Sequence, residues 1–228
     1  MTRWRVSVVI AVRDGERYLG ETLESITTQS RPVDEVIVVD DGSTDATVPL
    51  ARSFGETVTV VEQPARGAGS ARNTGIALAT GEVLALCDAD DLWVRSKTER
   101  QLGMIEDPSL AVAVFCGVEE FLSPDLDPDA RRGRAPRTLT GPTRMASGLL
   151  ATRAAFDATG PFREVDGADW FDWCSRLADA VPAVRHHPEV LLRRRLHANN
   201  STLIGGDASA ARLAAVAEHL RRRRGAQG

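Results

Sequence analysis

The stretch Ala85 to Trp93, ALCDADDLW, ends an apolar run on three carboxylates in four residues: Asp88, Asp90 and Asp91. Like charges this close repel, and a buried carboxylate without a partner is costly. Either the acids stand in water as an ordinary Asp-rich turn, or something positive offsets them. Asp88 and Asp90 are separated by one residue, so in a tight turn both carboxylates can face one point. That arrangement suits a hard divalent cation such as Mg2+ or Mn2+. Mg2+ is typically held by one or two carboxylates plus phosphate oxygens, so few protein ligands are needed.

Two further segments carry chemistry. VVDDGSTD, Val38 to Asp45, reads as a strand ending in a turn, with Ser43 or Thr44 capping the next helix. Capping accounts for those residues but not for two adjacent acids, and Asp41 at a sheet edge can accept an N–H from a planar base. In QPARGAGSARNTG, Gln63 to Gly75, two glycines make a flexible turn and Arg72 falls in the first turn of the following helix. Backbone N–H groups with an arginine near a helix start form an anion site; a plain loop with a surface arginine would look the same. The chain has no Gly-Lys-Ser/Thr, and no GxGxxG follows its first strand.

These residues need elements to position them. Arg5 to Val12, Glu35 to Asp41, Thr57 to Gln63 and Glu82 to Asp88 are β-branched apolar runs, as expected for parallel strands covered on both faces. Helical patterns lie between them at Tyr18 to Thr28, GSTDATVPLARSF and GSARNTGIALAT, with Pro49 in the first turn of the second. The alternation predicts an α/β fold with a doubly wound, mostly parallel sheet, whose ligands bind outside the strand C-termini. VRDG, VDDGSTD and CDADD all fall at such ends and would converge on one rim. The second half predicts a strand at Val112 to Phe121, a long Pro-rich loop at Ser123 to Pro142, and a short strand and helix over Leu149 to Gly160. A helix at Asp169 to Ala180, a strand at Pro188 to Leu196 and an Ala-rich terminal helix at Asp207 to Arg224 follow.

The bulk numbers exclude several classes. At 228 residues, 43% hydrophobic and 26% charged, the chain is an ordinary soluble globular protein with room for one generous α/β domain. A net charge of −4 gives no global pointer to nucleic acid, and the run Arg221 to Arg224 reads as a solvated helix end. No apolar run approaches the roughly 20 residues that span a bilayer, so no stable membrane insertion is expected. Cys87, Cys116 and Cys174 are too widely spaced for a zinc site or a disulfide framework and read as core cysteines of a cytoplasmic protein. One domain over residues 1–228 is the simplest division.

Taken together, VSVVIAVRDGERYL, EVIVVDDGSTDAT and GAGSARNTGIALATGEVLALCDADD resemble the family 2 glycosyltransferases, which have the GT-A fold, in order and approximate spacing. The likeness continues weakly through GADWFDWCSRLA and LLRRRLHANNS, covering Val6 to Ser201. It implies a single GT-A-like domain with a nucleotide-sugar-binding half (1–105), an acceptor and catalytic half (106–206) and a tail (207–228). It also implies a nucleotide-binding role for Ala11, Val12 and Asp41, with Asp41 at the base, and places Arg72 near the nucleotide. Asp88, Asp90 and Asp91 match the family's acidic triplet, with Asp90 the first choice for the metal and diphosphate and Asp88 or His197 assisting. A later acid serves as catalytic base in inverting members; Asp169 is the best match and Asp172, one turn on, its rival. The family's Pro-x-Tyr-Asn after the first strand is replaced by Ala11-Val12-Arg13-Asp14. Losing the tyrosine removes a stacking surface for the base, one that the guanidinium plane of Arg13 could replace, and leaves the details of base recognition open.

The implied activity is transfer of a sugar from a nucleoside-diphosphate donor, UDP-type first, with Mg2+ or Mn2+ and inversion at the anomeric carbon. The acceptor is open: a peptide, a natural product, a nucleotide-linked sugar or a growing glycan. Oligomeric state is equally open, a homodimer being one option. A sugar-nucleotidyltransferase would start with a Gly-rich loop ending in Thr-Arg or Lys, which IAVRDGERYL is not. A non-catalytic nucleotide-sugar binder would bind the donor without releasing nucleoside diphosphate.

Overall fold

The computed structural model describes residues 4–132, 135–164, 168–198 and 200. Strands β1 (Val6–Val12), β2 (Glu35–Asp40), β3 (Val58–Glu62) and β4 (Val83–Asp88) form where the β-branched runs predict them. They pair in parallel in the order β3-β2-β1-β4. Helices α1 (Leu19–Thr27), α2 (Thr47–Arg52) and α3 (Ala68–Leu78) make the crossovers.

Because side chains alternate across a strand, each face of the sheet receives its own core. Val8, Ile10, Val36 and Val38 pack with Leu19, Leu23 and Ile26 of α1. Val9, Ile37, Val39, Leu84 and Leu86 pack on the other face with Ala71 of α3. Gly75 lets α3 lie close on that face, since a Cβ there would sit 2.3 Å from Val9 Cγ1.

Beyond β4 come β5 (Leu92–Trp93), α4 (Lys97–Leu102), β6 (Val112–Leu122), α5 (Pro128–Arg131) and β7 (Thr138–Leu139). The remaining described elements are β8 (Leu150–Thr152), α6 (Arg153–Thr159), α7 (Asp169–Ala180) and β9 (Ala183–Leu196). The sheet runs β3-β2-β1-β4-β8-β6-β9-β5, with β7 on β6. Its long ladders are parallel, including β6 with β9, and the antiparallel links run through the short strands β5, β7 and β8. Phe156 of α6 and Trp173 and Leu177 of α7 join the α3 side, so helices cover both faces and the α/β doubly wound reading holds.

Three expectations need correction. Neither Ser43 nor Thr44 caps α2, which begins only at Thr47; the Ser43 hydroxyl instead accepts the Asp14 N–H at 2.8 Å. β9 starts at Ala183 rather than Pro188. The register jumps from Cys116 opposite His187 to Gly117 opposite Val190, leaving Pro188 and Glu189 in a bulge, where a residue without an N–H is tolerated. The segment Ser123 to Pro142 is not featureless, because α5 and β7 lie within it. The terminal helix at Asp207 to Arg224, with Arg221 to Arg224, lies outside the described residues.

Helix α4, which the sequence pattern did not announce, carries a fully buried Lys97. Its ammonium sits 3.9 Å from the centroid of the Trp93 ring and donates to Gln101 Oε1 at 2.7 Å. Burial pushes it down from 10.5 to about 8. Below pH 8 the ammonium is charged in both folded and unfolded chains, and its desolvation cost is carried in full. Between about 8 and 10.5 only the unfolded chain keeps the proton, so the stability due to Lys97 rises with pH. Chemical denaturation should therefore show wild type gaining on Lys97→Met by up to about 3 kcal/mol across that window. A pH-independent difference would show that Lys97 titrates normally.

Candidate active site

The C-terminal ends of β1 and β4 open onto a cavity of about 570 Å³, lined by Ala11, Val12 and Arg13 from one side and by all three acids of the CDADD turn. Arg72 enters from α3, and Arg194 and His197 from the end of β9.

Each acid has a different partner. Asp88 accepts from Arg72 Nη2 at 3.0 Å. Nearly half of its side chain faces the cavity, yet the protein crowded around it raises its carboxyl; Arg72 opposes that rise and Asp90 adds to it. Asp90 places Oδ2 at 2.7 Å from His197 Nε2, and Asn200 Nδ2 donates to the same oxygen at 3.3 Å. Asp91 is buried and turned inward, accepting from the Ser147 hydroxyl at 2.6 Å and from the Arg195 N–H at 3.1 Å. Burial pushes its carboxyl well above the usual range, and the charges of Asp90 and Asp88 push it further. Asp91 thus lines the cavity but spends its oxygens on holding the turn.

Arg72 also donates through Nη1 to Asp169 Oδ2 at 3.0 Å, so one guanidinium bridges Asp88 of β4 and Asp169, the first residue of α7. It lies 5.5 Å from the Phe162 ring centroid. The helix start adds a favourable field for the Asp169 carboxylate. Asn73, next to Arg72, clamps Phe162 both ways, donating to its carbonyl at 2.9 Å and accepting its N–H at 2.8 Å. Asp172, the rival candidate, is brought elsewhere: it accepts from buried Arg176 Nε at 2.9 Å and lies 4.0 Å from Arg163. Arg176 in turn donates to the carbonyls of Thr159 and Pro161, so that pair ties α7 to the segment before it.

Asp41 does not line the cavity. Its carboxylate accepts from Gln63 Nε2 and from the N–H groups of Arg66 and Gly67, each at 2.8 Å, and so shapes the 63–67 turn. Arg13 projects at the mouth with more than half its side chain exposed. In the turn beneath it Asp14 has φ 49°, a left-handed conformation that Asp tolerates better than most residues. Its carboxylate accepts the Thr44 N–H at 2.7 Å.

Of the two tryptophans on α7, Trp173 is fully buried, between Phe156 and Phe162. Trp170 stacks on it at 5.6 Å and donates to the Arg144 carbonyl.

Sequence reasoning passed over several contributors. Tyr18 packs on His197 with ring centroids 4.7 Å apart and donates to Asp125 Oδ2 at 2.9 Å. Arg195, 2% exposed, donates to the Asp90 carbonyl and to Glu21. Ser147 donates to Asp91 and accepts the Asp88 N–H at 3.0 Å, pinning both ends of the acidic turn from a fully buried position. RRRLH marked the neighbourhood of Arg195, whereas nothing in MASG marked Ser147.

Known proteins resemble this chain in sequence and in fold. The profile of glycosyl transferase family 2 matches residues 7–163. The chain is 28% identical over 213 residues to the uncharacterized glycosyltransferase RP339 of Rickettsia prowazekii, covering 86% of this chain and 65% of that protein. The solved mannosyltransferase PcManGT from Pyrobaculum calidifontis, in complex with GDP-Man and Mn2+, superposes with TM-score 0.70 at 25% identity, over 98% of this chain and 65% of that one. S. aureus TarS 1-349 in complex with UDP-GlcNAc superposes with TM-score 0.71 at 18% identity, over 88% and 61%; this second likeness is one of fold. The chain thus spans somewhat under two thirds of the length of each of these proteins.

Removing the Ser147 hydroxyl leaves Asp88 N–H and Asp91 short of a buried partner. Ser147→Ala should therefore lower unfolding free energy by about 1–3 kcal/mol in urea denaturation. An unchanged midpoint would mean that the turn holds itself.

Proposed function

The chain belongs to glycosyl transferase family 2, and on that premise we propose that it moves a sugar from a nucleoside-diphosphate donor to an acceptor hydroxyl with inversion, assisted by a divalent cation. The observation that carries this reading is the convergence of Asp88, Asp90, Arg72 and His197 on one cavity of about 570 Å³.

Among the described residues no group of three or more His, Cys, Asp or Glu side chains forms a ready-made metal nest. The donor set nevertheless fits a hard cation that substrate helps to hold. Asp90 Oδ2 and His197 Nε2, atoms of ligand type, meet at 2.7 Å, and Mg2+ or Mn2+ bound with phosphate oxygens needs only one or two carboxylates. Asp90, with His197 and Asp88, would hold the ion, whose contribution is to neutralise charge on the diphosphate.

The chain's own groups supply the rest. Asp169 takes the proton of the acceptor hydroxyl as that oxygen attacks the anomeric carbon from the face opposite the diphosphate. Arg72 holds Asp169 and Asp88 in register, and fixed placement of donor and acceptor contributes much of the acceleration. Arg13 offers its guanidinium plane to the base at the mouth, with Asp41 setting the turn behind it. A uridine donor is the first choice from the sequence resemblance, and a guanosine donor stands beside it because PcManGT, 25% identical, is solved with GDP-Man. The acceptor side falls to the Ser123 to Pro142 segment, whose Asp125, Leu126 and Asp127 line the cavity, and not to Ala146 to Thr152, which is buried. No described helix is long and apolar enough to cross a membrane, and three buried, unpaired cysteines fit a cytoplasmic setting.

Release of nucleoside diphosphate from UDP- and GDP-sugars with Mn2+ tests the proposal. Excess EDTA or Asp90→Ala should abolish release. Asp169→Asn should still bind the nucleotide while turnover falls by about a hundredfold or more. Full activity in EDTA would remove the metal from the account. A dead Asp172→Asn beside an active Asp169→Asn would show that the base is misassigned.

A further inference from the structure

We infer that Arg194 binds the terminal phosphate of the nucleoside diphosphate, as a second fixed cation beside Arg72; this rests on the glycosyl-transfer reading above. Three consecutive arginines, Arg193, Arg194 and Arg195, stand at the end of β9. Alternation along the strand separates them. Arg193 and Arg195 each lie 4.8 Å from the Phe121 ring centroid and so share one face. Arg193 is engaged with Glu119, and Arg195 with Glu21 and the Asp90 carbonyl. Arg194 takes the opposite direction and lines the cavity with Asp88 and His197.

The cavity needs such a group. Six aspartates line it against four arginines, so an anionic ligand must be met by cations in defined places. Arg13 and Arg17 are exposed at the mouth, with 58% and 63% of their side chains accessible. Arg72 and Arg194 are set deep, at 12% and 17%. Glu120, itself buried, accepts from Arg194 Nη1 at 3.2 Å and so fixes the guanidinium. Arg137 braces Glu120 in turn, donating to it at 3.1 and 3.3 Å. A guanidinium fork held this way matches phosphate geometry in a manner an ammonium does not. When the bond between the anomeric carbon and the phosphate oxygen breaks, its electron pair stays on that oxygen, where a cation is most useful.

Calorimetric titration with UDP, UMP, GDP and GMP, each with Mn2+, tests the assignment. Arg194→Gln should weaken the diphosphates by about tenfold or more while shifting the monophosphates far less. Arg193→Gln, which removes the same charge from the other face, should leave the ratio of diphosphate to monophosphate affinity unchanged. If Arg194→Gln does not fold, Arg194→Lys is read by the same ratio and should show a smaller loss of the same kind. Equal weakening of mono- and diphosphates, an unchanged ratio, or an equal effect of Arg193→Gln would overturn the inference. Failure of the unaltered protein to bind any nucleoside diphosphate would instead overturn the reading beneath it.

Discussion

Mutual repulsion of three carboxylates at the end of a buried strand is the constraint around which this molecule is arranged. Asp88, Asp90 and Asp91 cannot be crowded together at the rim of β4 unless each finds a separate counterpart. Asp88 takes Arg72, Asp90 takes His197 with Asn200, and Asp91 takes Ser147 and the backbone of Arg195. Those counterparts come from α3, from the segment ahead of β8 and from the end of β9. The acidic turn therefore draws both halves of the chain together. Arg72 extends the connection to α7 through Asp169.

What could be read from the residues alone follows from how local each signal is. The first four strands were legible because Val and Ile crowd runs that must be covered on both faces. Helix α7 was legible from its apolar spacing. β5 and α4 were not, because a two-residue strand has no period and KTERQL looks like a solvated face, although Lys97 is fully buried. The early start of β9 was hidden by Pro188, whose position in a bulge depends on pairing with β6. In the site, acids and arginines announced themselves by type, and Asp169 was named by resemblance, but its pairing with Arg72 is seen only in the structure. Tertiary structure gives the two acids different partners, Asp169 pairing with Arg72 and Asp172 with Arg176, and neither is among the residues lining the cavity. Ser147 carries no signal at all in sequence, since one hydroxyl among many gains meaning only from the two backbone ends it pins.

The electrostatic balance that results is incomplete by itself. Asp88 and Asp90 keep part of their surface toward the cavity, whereas Asp91 lines it while almost wholly buried. A turn organised in this way presents two carboxylates and an imidazole to whatever occupies the space, with guanidiniums on neighbouring walls. On this account the cation site is half built by protein and half by the diphosphate, so ion and nucleotide must strengthen one another's binding by the same factor.

That reciprocity can be measured directly by titrating Mn2+ into the protein and following free ion by electron paramagnetic resonance, alone and with saturating UDP, GDP or UMP. The account predicts weak Mn2+ binding to the protein alone, tightened about tenfold or more by the matching nucleoside diphosphate beyond that nucleotide's own affinity for the ion. UMP should have little effect. Mn2+ that binds equally tightly with and without diphosphate, or a diphosphate that binds equally well in EDTA, would contradict it.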